Sequence, residues 1–366
     1  INNRIDNFKS KIYIYIYIML PRNTFNNIIN TSVICPVTND KVIWTNGIQL
    51  KSTNSLLQNQ LTINGVIHSN IIKDICKIND NTIATVVGKT INICEFRMDG
   101  NIASTNKLTH THDIIKICLF TINSILILSK DKILRCVSIR TGDVTSNIAT
   151  GHVGDVLGLC KVDIDNATAA TSSSDGIIRI WNMQTGVMQR ELAGHTASVN
   201  DICLLKLNHI VSASNDRTLR VWRVSDGVCT QVLQGHIEPV NTVCVLNCGL
   251  FASGSNDGTI KIWNSNIDIP IGDFAAHGNR INRIGLFNNT NIVSAGNDKT
   301  VKVWDISISN DNIYDYLIAS EQIDTAFLLA CKENNGDRIL QLLFNDRLFI
   351  DCYDDDGMNG LMHLIE

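Results

Sequence analysis

The chain has 366 residues, of which 44% are hydrophobic and 18% charged, and its 31 basic and 35 acidic side chains give a net charge of −4. This length allows two domains of ordinary size, or one large repeat domain with a tail. The near-neutral balance, without a dense Lys/Arg block, argues against a nucleic-acid or membrane-surface protein. Low proline and charge exclude a mostly disordered chain, and no apolar run reaches the ~20 residues of a spanning helix.

The first 18 residues differ from the rest of the chain. Residues 12–18 alternate Ile and Tyr, as an alternating T/A tract would encode, and Met19 follows directly. We expect residues 1–18 to be a non-native or disordered leader with Met19 as the natural start. An N-terminal β-strand is the alternative. The segment has no convincing secretory signal, so the sequence predicts an intracellular, cytoplasmic protein, with the nucleus as a second location left open.

A repeat of about 41 residues dominates the chain after residue 150. Four tryptophans are spaced 41 residues apart, an aspartate stands six residues before each, and histidines recur at intervals of 43, 41 and 41. Each unit contains Gly or Ala before the His, a Ser/Thr four residues before the Asp, and alternating apolar residues that lead to the Trp, as in β-strands. The Asp175-Gly176 and Asp257-Gly258 pairs are typical of hairpin turns.

The same register continues upstream in weaker form. His110, Asp131 and Val137 occupy the His, Asp and Trp positions of one unit, and the unit before it has His68, Thr85, Lys89 and Glu95 in the His, Ser/Thr, Asp and Trp positions. A cysteine eight residues after the His position marks six units: Cys35, Cys76, Cys118, Cys160, Cys203 and Cys244. This predicts seven units between about residues 27 and 317.

The period and its His, Asp and Trp positions resemble the WD-repeat family of β-propellers, with four strands per blade. The resemblance implies an all-β fold, a seven-bladed propeller over residues 19–317 in which the first three blades are degenerate. One blade must combine both chain ends. Its outer strand comes either from residues near 20–26 or from residues near 308–316.

The resemblance also implies a structural tetrad in each intact blade, in which the Trp indole, a Ser/Thr hydroxyl, the His imidazole and the Asp carboxylate are hydrogen-bonded in series. The predicted tetrads are His152/Thr171/Asp175/Trp181, His195/Ser212/Asp216/Trp222, His236/Ser253/Asp257/Trp263 and His277/Ser294/Asp298/Trp304. A catalytic-triad interpretation of Ser, His and Asp is rejected, because the set occurs four times and each set is capped by Trp. The sequence contains no phosphate loop, HExxH or dinucleotide fingerprint, so no catalytic, cofactor-binding or metal site is predicted.

The twelve cysteines, without a secretory signal, are typical of free thiols in a reducing compartment. Six of them fall at one position of the predicted innermost strand, and Gly285 occupies that position in the seventh unit. There they act as small apolar side chains near the axis. A metal held by this ring of thiols is the alternative, which packed-sheet spacing disfavours.

Residues 318–366 lose the β pattern. Apolar residues between Glu321 and Leu343 recur at helical spacing, and Asp356 to His363 resemble the opening of an ankyrin repeat. Phe327 and Leu361 share one position 34 residues apart. We therefore expect partial, truncated ankyrin repeats, with isolated helices packed on the propeller as the alternative.

These features predict a non-enzymatic scaffold or adaptor that binds other proteins or peptides, with no nucleic acid, membrane or small-molecule substrate. In the resembling family, loops after the His and before the turn Asp form the upper face. Here those positions are Asp155, Ser174, Ser198, Asn215, Glu238, Asn256, Arg280 and Asn297. The blade with Arg280 and Arg283 would suit an acidic peptide. The alternatives are the regulatory region of an enzyme whose catalytic domain lies beyond Glu366, and a ubiquitin-ligase substrate receptor.

Overall fold

A computed structural model describes residues 21–25, 34–38, 41–46, 49–54, 61–67, 71–96, 102–163, 167–246, 249–265, 269–288 and 291–306. Over these ranges the chain forms 28 β-strands and no helix, in agreement with the predicted all-β class. None of these residues belongs to a helix long and apolar enough to cross a membrane. The expected leader (1–18) and the ankyrin-like segment (318–366) lie outside the described residues.

The strands follow one another along the chain, and most consecutive strands pair antiparallel. The first half contains β1 (Pro21–Phe25), β2 (Ile34–Thr38), β3 (Lys41–Asn46), β4 (Gln49–Asn54), β5 (Leu61–Ile67), β6 (Ile72–Asn79), β7 (Thr82–Val87), β8 (Thr90–Phe96), β9 (Ile102–Thr109), β10 (Ile114–Thr121), β11 (Ser124–Ser129), β12 (Ile133–Ser138) and β13 (Val144–Ala149). The second half contains β14 (Val156–Asp163), β15 (Thr168–Ser173), β16 (Ile178–Asn182), β17 (Met188–Leu192), β18 (Val199–Lys206), β19 (His209–Ser214), β20 (Leu219–Arg223), β21 (Cys229–Leu233), β22 (Val240–Val245), β23 (Leu250–Ser255), β24 (Thr259–Asn264), β25 (Pro270–Ala275), β26 (Ile281–Asn288), β27 (Asn291–Gly296) and β28 (Val301–Asp305).

These strands build four-stranded sheets in sequence order: β2 to β5, β6 to β9, β10 to β13, β14 to β17, β18 to β21 and β22 to β25, with a last sheet ordered β1-β28-β27-β26. The first strands β6, β10, β14, β18, β22 and β26 pack one against the next. This arrangement of sheets around an axis is a β-propeller.

The last sheet combines both ends of the propeller sequence. Strand β1 pairs antiparallel with β28, where Phe25 lies opposite Val301. Of the two segments considered for the closing strand, it is therefore the one near residues 20–26 that supplies it.

The burial of each strand follows its place in the sheet. In the β14 to β17 sheet every residue of β15 is buried, whereas four of the five residues of β17 are exposed. The second strand is covered on both faces by neighbouring sheets, which explains why its sequence is apolar or small throughout instead of alternating. The outer strand faces solvent and is polar.

The predicted hairpin turns are confirmed. Gly176 and Gly258 have φ of +82° and +76° in the turns between the second and third strands of their sheets. The equivalent positions in two other sheets hold Arg217 and Lys299, with φ of +71° and +63°. This turn thus requires a residue with a left-handed backbone conformation. Glycine adopts that conformation without strain, whereas the two basic residues adopt it at a cost in conformational energy.

Candidate interaction face

Four side chains are hydrogen-bonded in series within the β18 to β21 sheet. The Trp222 indole Nε1 donates to the Ser212 hydroxyl at 2.8 Å, the hydroxyl lies 2.7 Å from His195 Nε2, and His195 Nδ1 lies 2.7 Å from Asp216 Oδ2. An indole N–H can only donate and a carboxylate can only accept. The hydroxyl therefore donates to Nε2, and the Nδ1–H of a neutral imidazole donates to the carboxylate.

The same network occurs in the three other sheets where it was predicted. Indole-to-hydroxyl distances are 2.8 to 2.9 Å, hydroxyl-to-imidazole distances 2.7 to 3.0 Å, and imidazole-to-carboxylate distances 3.0 to 3.1 Å. The groups involved are His152/Thr171/Asp175/Trp181, His236/Ser253/Asp257/Trp263 and His277/Ser294/Asp298/Trp304. The structure thus brings together all sixteen residues that the repeat pattern places in tetrads.

The tetrad tryptophans are core residues and form no part of a surface that a ligand or partner can reach. Trp263 is 0% exposed and Trp304 is 2% exposed, so both indoles are as deeply buried as that of Trp222. Trp263 stacks with Phe251 at 6.4 Å between ring centroids, and Trp304 packs against Phe274 at 4.8 Å. Trp263 and Trp304 were named among the candidate site residues because of their tetrads, and the structure limits their role to internal support.

The tetrads hold the loops of one face in place. Asp216 Oδ2 also accepts from the backbone N of Thr196, and its Oδ1 accepts from the backbone N and the hydroxyl of Thr218. One carboxylate therefore ties the loop that precedes β18 to the turn between β19 and β20. We call the end of the propeller formed by these loops and turns the upper face, and the opposite end the lower face.

The tetrad hydroxyls have no access to a substrate. Thr171, Ser212, Ser253 and Ser294 have 0% exposed surface, and each already accepts a hydrogen bond from an indole. A nucleophile must reach the bond that it attacks. The geometry of these four sets is therefore that of internal supports rather than triads.

The β10 to β13 sheet replaces the tetrad with a different buried network. The Arg135 guanidinium donates to Ser129 Oγ at 2.7 Å and to Asp131 Oδ2 at 2.6 Å, and His112 Nδ1 lies 3.1 Å from the same carboxylate. The Asp position therefore holds a networked carboxylate, but its partners are Arg135 and His112, and the partner implied by the repeat register, His110, does not contact it. Hydrogen bonds from Arg135 and Ser129 outweigh the effect of burial and hold the pKa of Asp131 at about 2.

The sheet from β6 to β9 lacks a tetrad as well. Thr85 is fully buried, while Lys89 and Glu95, in the Asp and Trp positions, are exposed. His68 lies outside the described residues.

The eight predicted upper-face residues lie at the loop ends of their sheets, where six are exposed and Ser198 and Asn256 are half-buried. The two loops of a sheet are joined by a backbone hydrogen bond, from Asn215 N to Ser198 O at 2.9 Å, from Ser174 N to Asp155 O at 2.8 Å, and from Asn297 N to Arg280 O at 2.8 Å. In the fourth sheet Asn256 N donates to Pro239 O, the neighbour of Glu238. Asp155, Ser174, Asn215, Glu238, Arg280 and Asn297 offer the exposed polar surface of this face.

A row of asparagines that the repeat motif did not single out joins adjacent sheets at this face. Asn200 Nδ2 donates to Asn215 Oδ1 at 2.7 Å and to Val240 O of the next sheet at 2.8 Å. Asn241 makes the equivalent bonds to Asn256 Oδ1 and Ile281 O at 2.8 and 2.9 Å. The signal was available in the sequence, because Asn200, Asn241 and Asn282 share the 41-residue spacing.

Comparison with known proteins identifies the repeat. The WD domain, G-beta repeat family model matches residues 145–182, 186–223, 227–264 and 269–305. These segments cover β13 to β28, the part that holds the four tetrads. The chain carries four WD repeats.

A curated relative matches over a shorter stretch. Over 41 residues the chain is 46% identical to the pre-mRNA-splicing factor PRP46 of Eremothecium gossypii, a match that spans 11% of this chain and 10% of that protein. The chain thus spans only a small part of that relative, in a region about one repeat long.

An ion pair links the inner strands of two WD repeats. Arg283 Nη1 lies 3.2 Å from Asp201 Oδ2, two sheets away, and Asp201 also accepts from Thr242 Oγ1 and Val243 N. The carboxylate raises the pKa of Arg283.

Arg283 was predicted to join Arg280 as a basic site for an acidic peptide. That interpretation was wrong for Arg283, because its charge is neutralised by Asp201, and only Arg280 lies exposed.

The six recurring cysteines occupy one register position on the first strands of their sheets, as predicted, with Gly285 at the same position on β26. Burial raises the pKa of Cys35 and of Cys244 to about 12 and raises those of the four others. Metal ligation requires thiolate, and the described residues contain no group of three or more ligands placed to hold a metal ion. These thiols pack as small protonated side chains.

The tetrads make the free energy of unfolding of the propeller depend on pH. Burial lowers the pKa of His152 and of His277 from 6.5 despite their carboxylate partners. For Asp216 and Asp257, burial raises the carboxyl pKa, but hydrogen bonds from His and Thr outweigh it, and the pKa lies below 3.8. In both pH ranges the unfolded chain binds more protons than the folded chain, so the free energy of unfolding falls as the pH falls.

We therefore expect the urea midpoint to fall in two stages, first below pH 6.5 and again below pH 3.8. The measurement is urea unfolding, followed by circular dichroism, between pH 8 and 3. The His152→Gln/His277→Gln variant should lose most of the first stage, whereas His209→Gln should keep it. A midpoint that stays constant between pH 7 and 5 would contradict the assignment.

Proposed function

We propose that this protein is a non-enzymatic, intracellular scaffold that binds other proteins through the upper face of its propeller. The observation that carries the proposal is the separation of roles in each WD repeat. The tetrad is buried and hydrogen-bonded in series, whereas the loops that it fixes present polar side chains, and the position after the His differs in every repeat: Asp155, Ser198, Glu238 and Arg280. Rigid supports beneath variable loops are the usual basis of protein recognition.

We further propose that the propeller, residues 19–317, is a closed ring of seven blades. The β2 to β5 sheet supports this, because β2 contacts both β6 and β26 and so bridges the first and last of the other six sheets. Residues 318–366 then form a separate segment of partial ankyrin repeats and offer a second binding surface. A cytoplasmic location agrees with nine described cysteines that are free thiols.

Affinity capture from native cytosol with the full chain tests the proposed binding face. The upper-face variant Arg280→Glu/Asn297→Ala should lose one or more captured proteins that the unaltered chain retains. The matched control, Arg140→Glu/Asn123→Ala, makes the same two changes at exposed residues of lower-face turns and should retain them. If all three captures contain the same proteins, the upper face around Arg280 is not the binding site.

A further inference from the structure

Three lysines form a basic cluster on the upper face of the two sheets that lack tetrads. Lys130 Nζ lies 3.0 Å from Asp113 Oδ2, with 69% and 41% of the two side chains exposed. The backbone bond from Ile114 N to Gly88 O places Lys89 beside Asp113. The hydrogen bond from Lys130 lowers the pKa of Asp113, and the charges of Lys89 and Lys73 lower it further. We call Lys73, Lys89 and Lys130 the basic sector.

The basic sector arises where the repeat departs from its pattern. Lys89 occupies the position that holds a tetrad aspartate in the intact repeats, so the substitution reverses the charge of that turn. Two other basic side chains of this face donate to carbonyl groups: Lys132 Nζ to Val153 O, and Arg217 Nη1 to Ile237 O. Within the described part of the chain, neither the Lys73 nor the Lys89 ammonium has a hydrogen-bond partner. Asp113 pairs with Lys130 and also lies within electrostatic reach of Lys89 and Lys73.

The opposite charge is concentrated at the other end of the same chain. Residues 307–366 contain 12 acidic and 3 basic residues, a net charge of −9, so residues 1–306 carry the remaining 23 acidic and 28 basic residues, a net charge of +5. The densest acidic run is Asp351, Asp354, Asp355 and Asp356, with no basic residue among them. The overall net charge of −4 conceals this division.

We propose that the acidic segment 351–356 of this chain docks on the basic sector of its own propeller. Three ammonium groups that lack sufficient counter-charge face solvent, and four adjacent carboxylates on the same chain supply it. The 44 residues between Ile306 and Asp351 could span at most about 150 Å, several times the ~20 Å radius of gyration of a folded domain of this size. Covalent attachment to the same chain raises the effective concentration of the segment at the basic sector above that of a free peptide, so weak, exposed ion pairs are sufficient.

Carbodiimide cross-linking of the full chain tests this contact, because the reagent joins an amine directly to a carboxylate that touches it. At low salt we expect cross-links from Lys73, Lys89 or Lys130 to residues 351–356. Their yield should fall several-fold at about 0.5 M salt, where screening acts within ~3–5 Å. Lys299 is the internal control, since it is an exposed lysine at the equivalent turn of another sheet. Equal yields at Lys299 and at the basic sector would overturn the proposal.

Two further experiments, cross-linking of isotope-labelled mixtures and of charge-reversed variants, establish which chain and which charges make the contact. In a mixture of ¹⁴N- and ¹⁵N-labelled chains, the cross-linked peptides should come from a single chain; mixed pairs would assign the contact to a second copy and overturn the intramolecular contact. Lys89→Glu should reduce cross-linking at Lys73 and Lys130 several-fold, Lys299→Glu should not, and the combined Lys89→Glu/Asp355→Lys variant should restore it. Since the contact lies within the chain, its failure would leave the proposed binding of partner proteins untouched.

Discussion

Trp222→Ala is expected to destabilise the propeller by about 3–5 kcal/mol, the usual cost of removing a buried tryptophan. The indole is 1% exposed and packs in a core cluster with Ile180, Leu192 and Val199 from two adjacent sheets. Its removal leaves a cavity between the sheets and takes away the donor that Ser212 accepts from. The midpoint of thermal or urea unfolding, followed by far-ultraviolet circular dichroism, measures the loss.

Two companion variants separate the contributions to this loss. Trp222→Phe keeps most of the ring volume but removes the indole N–H, so it should cost about 1 kcal/mol for the lost hydrogen bond plus a smaller packing term. Asn215→Ala changes an exposed upper-face residue of the same sheet and removes only the exposed hydrogen bond from Asn200, so it should shift the midpoint far less. Small, equal shifts for Trp222→Ala and Asn215→Ala would show that the tetrad does not support the sheet.

Asp131→Ala is expected to cost a similar amount, about 3–5 kcal/mol, because it leaves a buried guanidinium without its counter-charge. The side chains of Arg135 and Asp131 are 9% and 12% exposed and 2.6 Å apart. The same unfolding measurement applies. The pH dependence offers a second readout, since the contribution of Asp131 to stability should disappear as the pH falls towards its pKa of about 2.

The decisive comparison is with the double variant Asp131→Ala/Arg135→Met. Removing both charges takes away the unpaired cation and leaves an apolar side chain of similar length, so most of the lost stability should return. If the double variant is as unstable as Asp131→Ala, the ion pair is not the cause, and the loss comes from the turn that Asp131 shapes through its bond to Ile133 N.

The repeat period predicted those parts of the fold that depend on local sequence. Each tetrad joins residues at most 29 positions apart, from His152 to Trp181, so a period with fixed internal spacing determines all four members. The inner position of Cys203 and Cys244 followed from the same arithmetic. A set of residues that recurs in every repeat can be recognised from a single sequence, because the same residue types return at the same spacing in each repeat.

Contacts made once could not be predicted in this way. Asp201 meets Arg283 only because their two sheets and the single sheet between them turn their first strands towards one axis, and no periodic signal joins an acidic residue to a basic residue 82 positions later. Arg135 was missed for a different reason. Basic residues also stand at its position in the intact repeats, where Arg220 and Lys302 lie near the indoles of Trp222 and Trp304 in their own sheets. In the β10 to β13 sheet Val137 replaces the tryptophan, and Arg135 pairs with Asp131 instead.

The pairing of β1 with β28 has a consequence for how the protein is made. Residues 21–25 leave the ribosome first among the described strands, but their partner, residues 301–305, is among the last. At ~5–20 residues per second, synthesis of the stretch between them takes on the order of 15–60 s. Throughout that time β1 must stay available, and the other sheets can form from neighbouring strands while the ring is still open. The pairing of β1 with β28, which closes the ring, joins the residues that lie farthest apart in the sequence. Because folding slows as the sequence separation of the contacts grows, this step is expected to be among the slowest. A nascent chain that has completed every WD repeat except the last therefore carries β1 as an unpaired strand and leaves a sheet face uncovered at each end of the arc.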